Sequence, residues 1–135
     1  MRRVAWRDER GSITAFVAVV ATALVMVAGM AYDGGQILVA QSRARSDADK
    51  AARAGAQQVD TGHLRETGET ILNPPEAEAA AQEFLARSGA TGTVTVNGAS
   101  VTVTVTATQA MRILPVGDRR IVVTETATAT DEEPS

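Results

Sequence analysis

Between Ser12 and Tyr32 the chain reads SITAFVAVVATALVMVAGMAY, without one charged side chain. Arg7, Asp8, Glu9 and Arg10 crowd one end of this run, and Asp33 closes the other. At 1.5 Å rise per residue, about 20 helical residues cover ~30 Å, the hydrocarbon thickness of a bilayer. Core helices of globular proteins rarely run so far without a polar face. The sequence therefore predicts a basic leader over 1–11 and a transmembrane helix over 12–32. Arg2, Arg3, Arg7 and Arg10 lie close to one end of the span, whereas Arg43, Arg45 and Lys50 lie further from the other. Basic residues near the membrane stay in the cytoplasm, so the expected orientation is N-terminus cytoplasmic and C-terminal head extracytoplasmic.

A second reading of the same run is a signal peptide cleaved after Ala31, because Gly29 and Ala31 place small residues at both recognition positions. The run exceeds the ~7–15 apolar residues of such a signal, which favours a retained anchor. Gly11, Ala15, Ala18, Thr22, Val25 and Gly29 recur at spacings of four and three, with Phe16, Val20, Leu24 and Val27 on the opposing side. Small residues let helix backbones approach closely in lipid, so this face is the candidate helix-packing surface.

Beyond the span roughly 100 residues remain, enough for one small domain with a modest core. Aromatic residues make up only 3% of the chain, so that core must come from Val, Ala, Leu and Ile. The absence of cysteine excludes disulfide scaffolds and thiolate metal sites. With 13 Lys+Arg against 16 Asp+Glu, the chain has no basic footprint for nucleic acid.

Asp33 reads as a boundary marker, and Gly34-Gly35 after it as a point where the helix can bend. Residues 33–59 then read as a stalk helix, whose Ile37, Ala40, Ala44, Ala48, Ala51 and Gly55 form a narrow small-residue stripe. Arg43 with Asp47, Arg45 with Asp49, and Asp49 with Arg53 stand at ion-pair spacing. A small αβ head is expected over 60–130. Within it, 60–72 reads as a loop carrying His63, which has no partners in the sequence for a metal or catalytic role. A helix over 74–88 starts at Asn73, with Pro74 at its first position and Glu76 in capping-box spacing, and ends at Gly89. Ala77, Ala80, Ala81, Phe84 and Leu85 are its buried face, with Phe84 as the main anchor.

A hairpin over 93–106 is expected to turn at Asn97-Gly98 in type I′ geometry, pairing Val96 with Ala99, Thr95 with Ser100 and Val94 with Val101. Val94, Val96, Ala99, Val101, Val103 and Val105 then share one face, and the threonines share the other. Met111, Ile113 and Leu114 lie in a connector that covers the end of the sheet or touches the membrane surface. Residues 121–130 alternate as a third strand, and 131–135 form an acidic tail. The fold class is α+β: a transmembrane helix continuing into a stalk, then one helix and an antiparallel three-stranded sheet. No Ser/His/Asp set, phosphate-cradling glycine loop or metal-spaced cluster is present, and Asp118 and Glu125 stand isolated. The expectation is a non-enzyme with no cofactor, metal or small-molecule substrate, acting on a bilayer and on other proteins.

Asp8-Glu9-Arg10-Gly11-Ser12 running into a Val/Ala span, Asp33-Gly34-Gly35, and the stalk's Ser46-Asp47-Ala48-Asp49-Lys50-Ala51-Ala52 with Ala54-Gly55-Ala56 together resemble the TadE/TadG-like proteins of Tad (Flp) type IV pilus assembly. The later helix, the hairpin and the final TATAT strand resemble short family members of actinobacteria. The resemblance implies a membrane-anchored, pilin-like accessory subunit that meets pilins or other Tad/Flp assembly proteins. Prepilin-type processing would fall between Gly11 and Ser12, and the residues that follow argue against it here. Family and pilin-type proteins carry a glutamate shortly after that glycine, where this chain has Thr14, Ala15 and Phe16. Longer TadG proteins add a von Willebrand-type domain, for which this chain has neither the length nor the Asp-x-Ser-x-Ser motif. The alternative is an envelope-binding αβ module, secreted or signal-anchored and unrelated to pili, that uses its Thr-rich sheet face.

Overall fold

A computed structural model describes residues 9–113 and 116–129. The leader through Asp8, Leu114, Pro115 and the tail from Thr130 lie outside the described residues. One helix, α1 (Glu9–Ala56), accounts for 48 residues, about 72 Å at helical rise. Gly34 and Gly35 do not interrupt it. The sequence around them contains no proline and is rich in Ala, Val and Gln, so helix propagation through two glycines costs only ~1 kcal/mol each. Span and stalk are one rod.

After α1 comes a short helix, α2 (Thr61–Thr67), in the segment that the sequence suggests is a loop. Asp60 makes it: its carboxylate accepts the N–H groups of Gly62 and His63, both at 3.0 Å. The isolated bridge between Val59 and Leu72 closes the segment on itself. The next helix is α3 (Pro74–Ser88). Asn73 supplies no side-chain cap, so the capping-box expectation is not met; Pro at the first positions and a left-handed Gly89 bound the helix instead.

The sheet is an antiparallel meander, β1 (Thr91–Asn97), β2 (Ser100–Gln109) and β3 (Arg119–Thr128), in that spatial order. The hairpin register differs from the expected one by two residues: Val96 faces Val101, Val94 faces Val103, and Asn97 pairs with Ser100. The turn residues are thus Gly98 and Ala99. Only Gly98 has positive φ (59°), so glycine occupies the first central position in the manner of a II′ turn. A slip of two preserves side-chain parity, and the valine face survives it.

That face closes the core. Val101, Val103, Val105, Ile121 and Val123 are buried against Ala44, Ala48, Ala51 and Ala52 of α1, with Ala77, Ala81 and Leu85 of α3 and Leu72 beside them. The strands β2 and β3 lie on α1, while β1 packs on α3. Phe84 is only partly buried, so the anchoring role belongs to Leu72, Leu85 and the β2 valines. Alanines bring α1 close to the sheet, and Gly55 lets it approach α3 and the sheet together: an added Cβ would lie 2.8 Å from the Ala77 carbonyl oxygen and 3.1 Å from Val101.

Candidate interaction site

From Gly11 to Ala28 every residue of α1 is exposed, and the helix has apolar side chains on all sides. Its most apolar stretch reaches a mean hydropathy of 2.4 with 6% of that stretch buried, long and apolar enough to cross a membrane. Of the small-residue face, Gly11, Ala15, Ala18, Thr22 and Val25 are open to the surroundings. The Thr22 hydroxyl donates to the Ala18 carbonyl at 2.8 Å, so its polarity is satisfied inside the helix and costs little in lipid. Gly29 differs. It is buried beneath Ile113, whose Cγ2 lies 2.5 Å from where a Cβ on Gly29 would stand. Ser12 and Ala31, the other residues at the two possible processing positions, are exposed on the helix.

One turn beyond Gly29 sits the feature that sequence reasoning missed. Asp33 is 2% exposed, and its carboxylate accepts the N–H groups of Ile113 at 3.1 Å and Arg112 at 3.4 Å. Backbone N–H groups in a connector need acceptors when they dock against a helix, and a carboxylate with two oxygens holds both. Asp33 therefore fastens the β2–β3 connector to the end of the apolar run. Its position just past the last apolar residue was visible in the sequence. Nothing there linked it to residues 79 and 80 positions away.

A second tie lies higher on the helix. Arg45 reaches Glu125 on β3 at 2.9 Å, leaving Asp49 to Arg53 at 3.1 Å. The helical spacing paired Arg45 with Asp49, but the packed strand offers a nearer carboxylate. On the outer sheet face Ser100 with Thr128, Thr102 with Thr126 and Thr104 with Thr124 bring their hydroxyls to 3.0, 2.9 and 2.9 Å. Each pair commits a donor inside the sheet, which makes that face a cross-strand ladder. His63 lies 3.9 Å from Glu69 on the surface. Among the described residues no group of acidic or histidine side chains could hold a metal ion.

Residues 11–58 match the family described as "Putative Flp pilus-assembly TadE/G-like". The long helix is similar to that family. The match covers nearly all of α1 and ends before α2, so it bears out the family resemblance on the rod, and the head lies beyond it. No curated protein and no solved structure matches the chain. Flp pilus assembly is the role that this family's description carries, and the matched helix is long and apolar enough to cross a membrane.

Proposed function

We propose that this chain is a membrane-anchored, pilin-like accessory subunit of Tad/Flp pilus assembly, acting by helix packing rather than by catalysis. The observation that carries the proposal is the contrast within the helix that matches the TadE/G-like family: its distal half is covered by the chain's own sheet, while residues 11–28 are exposed throughout. In this reading residues 12–32 cross the plasma membrane, the N-terminus is cytoplasmic, and the αβ head projects outward. The open face of Ala15, Ala18, Thr22 and Val25 meets a helix of a pilin or of another assembly protein, where small side chains allow close contact.

The test is the double variant Ala18→Leu with Thr22→Leu. It should insert normally, resist alkaline extraction, and lose co-purification with Tad components. Normal co-purification overturns the packing face, and a deletion strain with unaltered pili overturns the assembly role.

A further inference from the structure

The connector between β2 and β3 does more than join two strands. Asp33 and Gly29 hold it against α1 at the end of the apolar run. Ile113, packed on Gly29, therefore stands level with the last apolar turn of the helix, and it is 51% exposed. Val116 beside it is 66% exposed. Between connector and helix lies a cavity of about 330 Å³, with Met30, Ile37, Met111 and Val116 as its apolar walls and Asp33 and Arg119 as its charged lining residues. Arg119 is exposed at the start of β3 and pairs with no described acidic side chain. The acidic groups facing the region are Asp118, exposed on the connector, and Asp33, whose carboxylate is directed at the connector N–H groups.

An apolar slot at the end of a membrane span, with an unpaired arginine at its edge, matches one ligand chemistry: acyl chain on one side, phosphate on the other. We infer that this slot binds an anionic phospholipid of the bilayer that α1 crosses, with Arg119 at the phosphate and Met30, Met111 and Val116 along the acyl chain. Tyr32, 49% exposed on the same helical level, sits where aromatic rings favour the interface. The bound lipid holds the head at a set height on the membrane. The inference rests on the reading of α1 as a span, and alkaline extraction tests that reading separately.

The full chain is purified in micelles doped with equal amounts of phosphatidylglycerol and phosphatidylcholine, and retained lipid is counted by native mass spectrometry. The wild type should retain phosphatidylglycerol over phosphatidylcholine by about fivefold or more, the ratio equivalent to ~1 kcal/mol for one basic residue at an anionic surface. Arg119→Gln should bring the ratio close to parity, Arg119→Lys should keep it, and Arg53→Gln, far up the helix, should leave it unchanged. Parity in the wild type, or an unaltered ratio in Arg119→Gln, overturns the site. Displacement of the lipid by millimolar inorganic phosphate overturns the lipid assignment in favour of a free anion. A fold-independent check uses the chain's lack of cysteine: a fluorophore on Asp118→Cys should be quenched by headgroup nitroxide lipids in vesicles, and an unquenched label places the connector away from the bilayer.

Discussion

From Gly11 to Ala28 the long helix carries Ala15, Ala18, Ala21 and Ala28 open to its surroundings, and from Ala44 to Gly55 it carries Ala44, Ala48, Ala51 and Ala52 sealed under a sheet. The residues are of one kind, and their settings are opposite. In the distal half, small side chains bring β2 and β3 close, and charges at Arg45, Asp49 and Arg53 occupy the remaining faces. In the proximal half no charge interrupts the surface, so only lipid or another apolar helix satisfies it. Small residues specify close approach; the residues around them decide what approaches.

The comparison breaks most visibly at Gly55. Gly55→Val should destabilise the head by about 3 kcal/mol, because branched atoms must enter space held by the Ala77 carbonyl and Val101. Thermal unfolding followed by circular dichroism in detergent reads the loss. The same change at Gly11, where nothing stands within 4 Å, should leave the melt unaltered. An unshifted melt for Gly55→Val ends the claim that close approach organises the distal half.

Next in size is Asp33→Ala, which removes the acceptor for two connector N–H groups and should cost about 1–2 kcal/mol locally. Amide hydrogen exchange at Arg112 and Ile113 should accelerate while the valines of β2 keep their protection. If both regions accelerate together, connector and core are one cooperative unit, and the boundary between the halves is not at Asp33. Gly35→Ala should stabilise the rod by up to ~1 kcal/mol, since open space surrounds it and alanine favours helix. Glu125→Gln should change stability by less than ~1 kcal/mol, and the change should fade in high salt, because the pair with Arg45 is largely solvated.

Periodicity made much of this architecture legible. The stripe from Ile37 to Gly55 and the alternation of valine with threonine each identify a face without reference to any partner. What stayed hidden depended on contacts distant in sequence. The hairpin turn moved from Asn97-Gly98 to Gly98-Ala99 because the register that pairs Val96 with Val101 also fits, and parity cannot distinguish slips of two. Phe84 looked dominant by size, yet the space against α1 suits Val and Leu. Asp33 read as a boundary marker and Glu125 as isolated because their partners are elements whose position only packing decides. For the interaction site, spacing picked out the small residues but could not tell that Gly29 would be covered by the connector while Ala18 stayed open.

The unbroken passage of α1 through Gly34 and Gly35 has a mechanical corollary. A continuous helix tied to the connector at Asp33 and packed under the sheet from Ala44 to Ala52 leaves no loop between span and head, so a rotation of the span turns the head with it. One alanine inserted between Met26 and Val27 would turn the head about 100° around the axis and raise it ~1.5 Å. Four would restore nearly the original heading, one turn higher. Subunits that must meet neighbours at a fixed azimuth would tolerate the second change and not the first, which makes the helix a phase reference as much as an anchor.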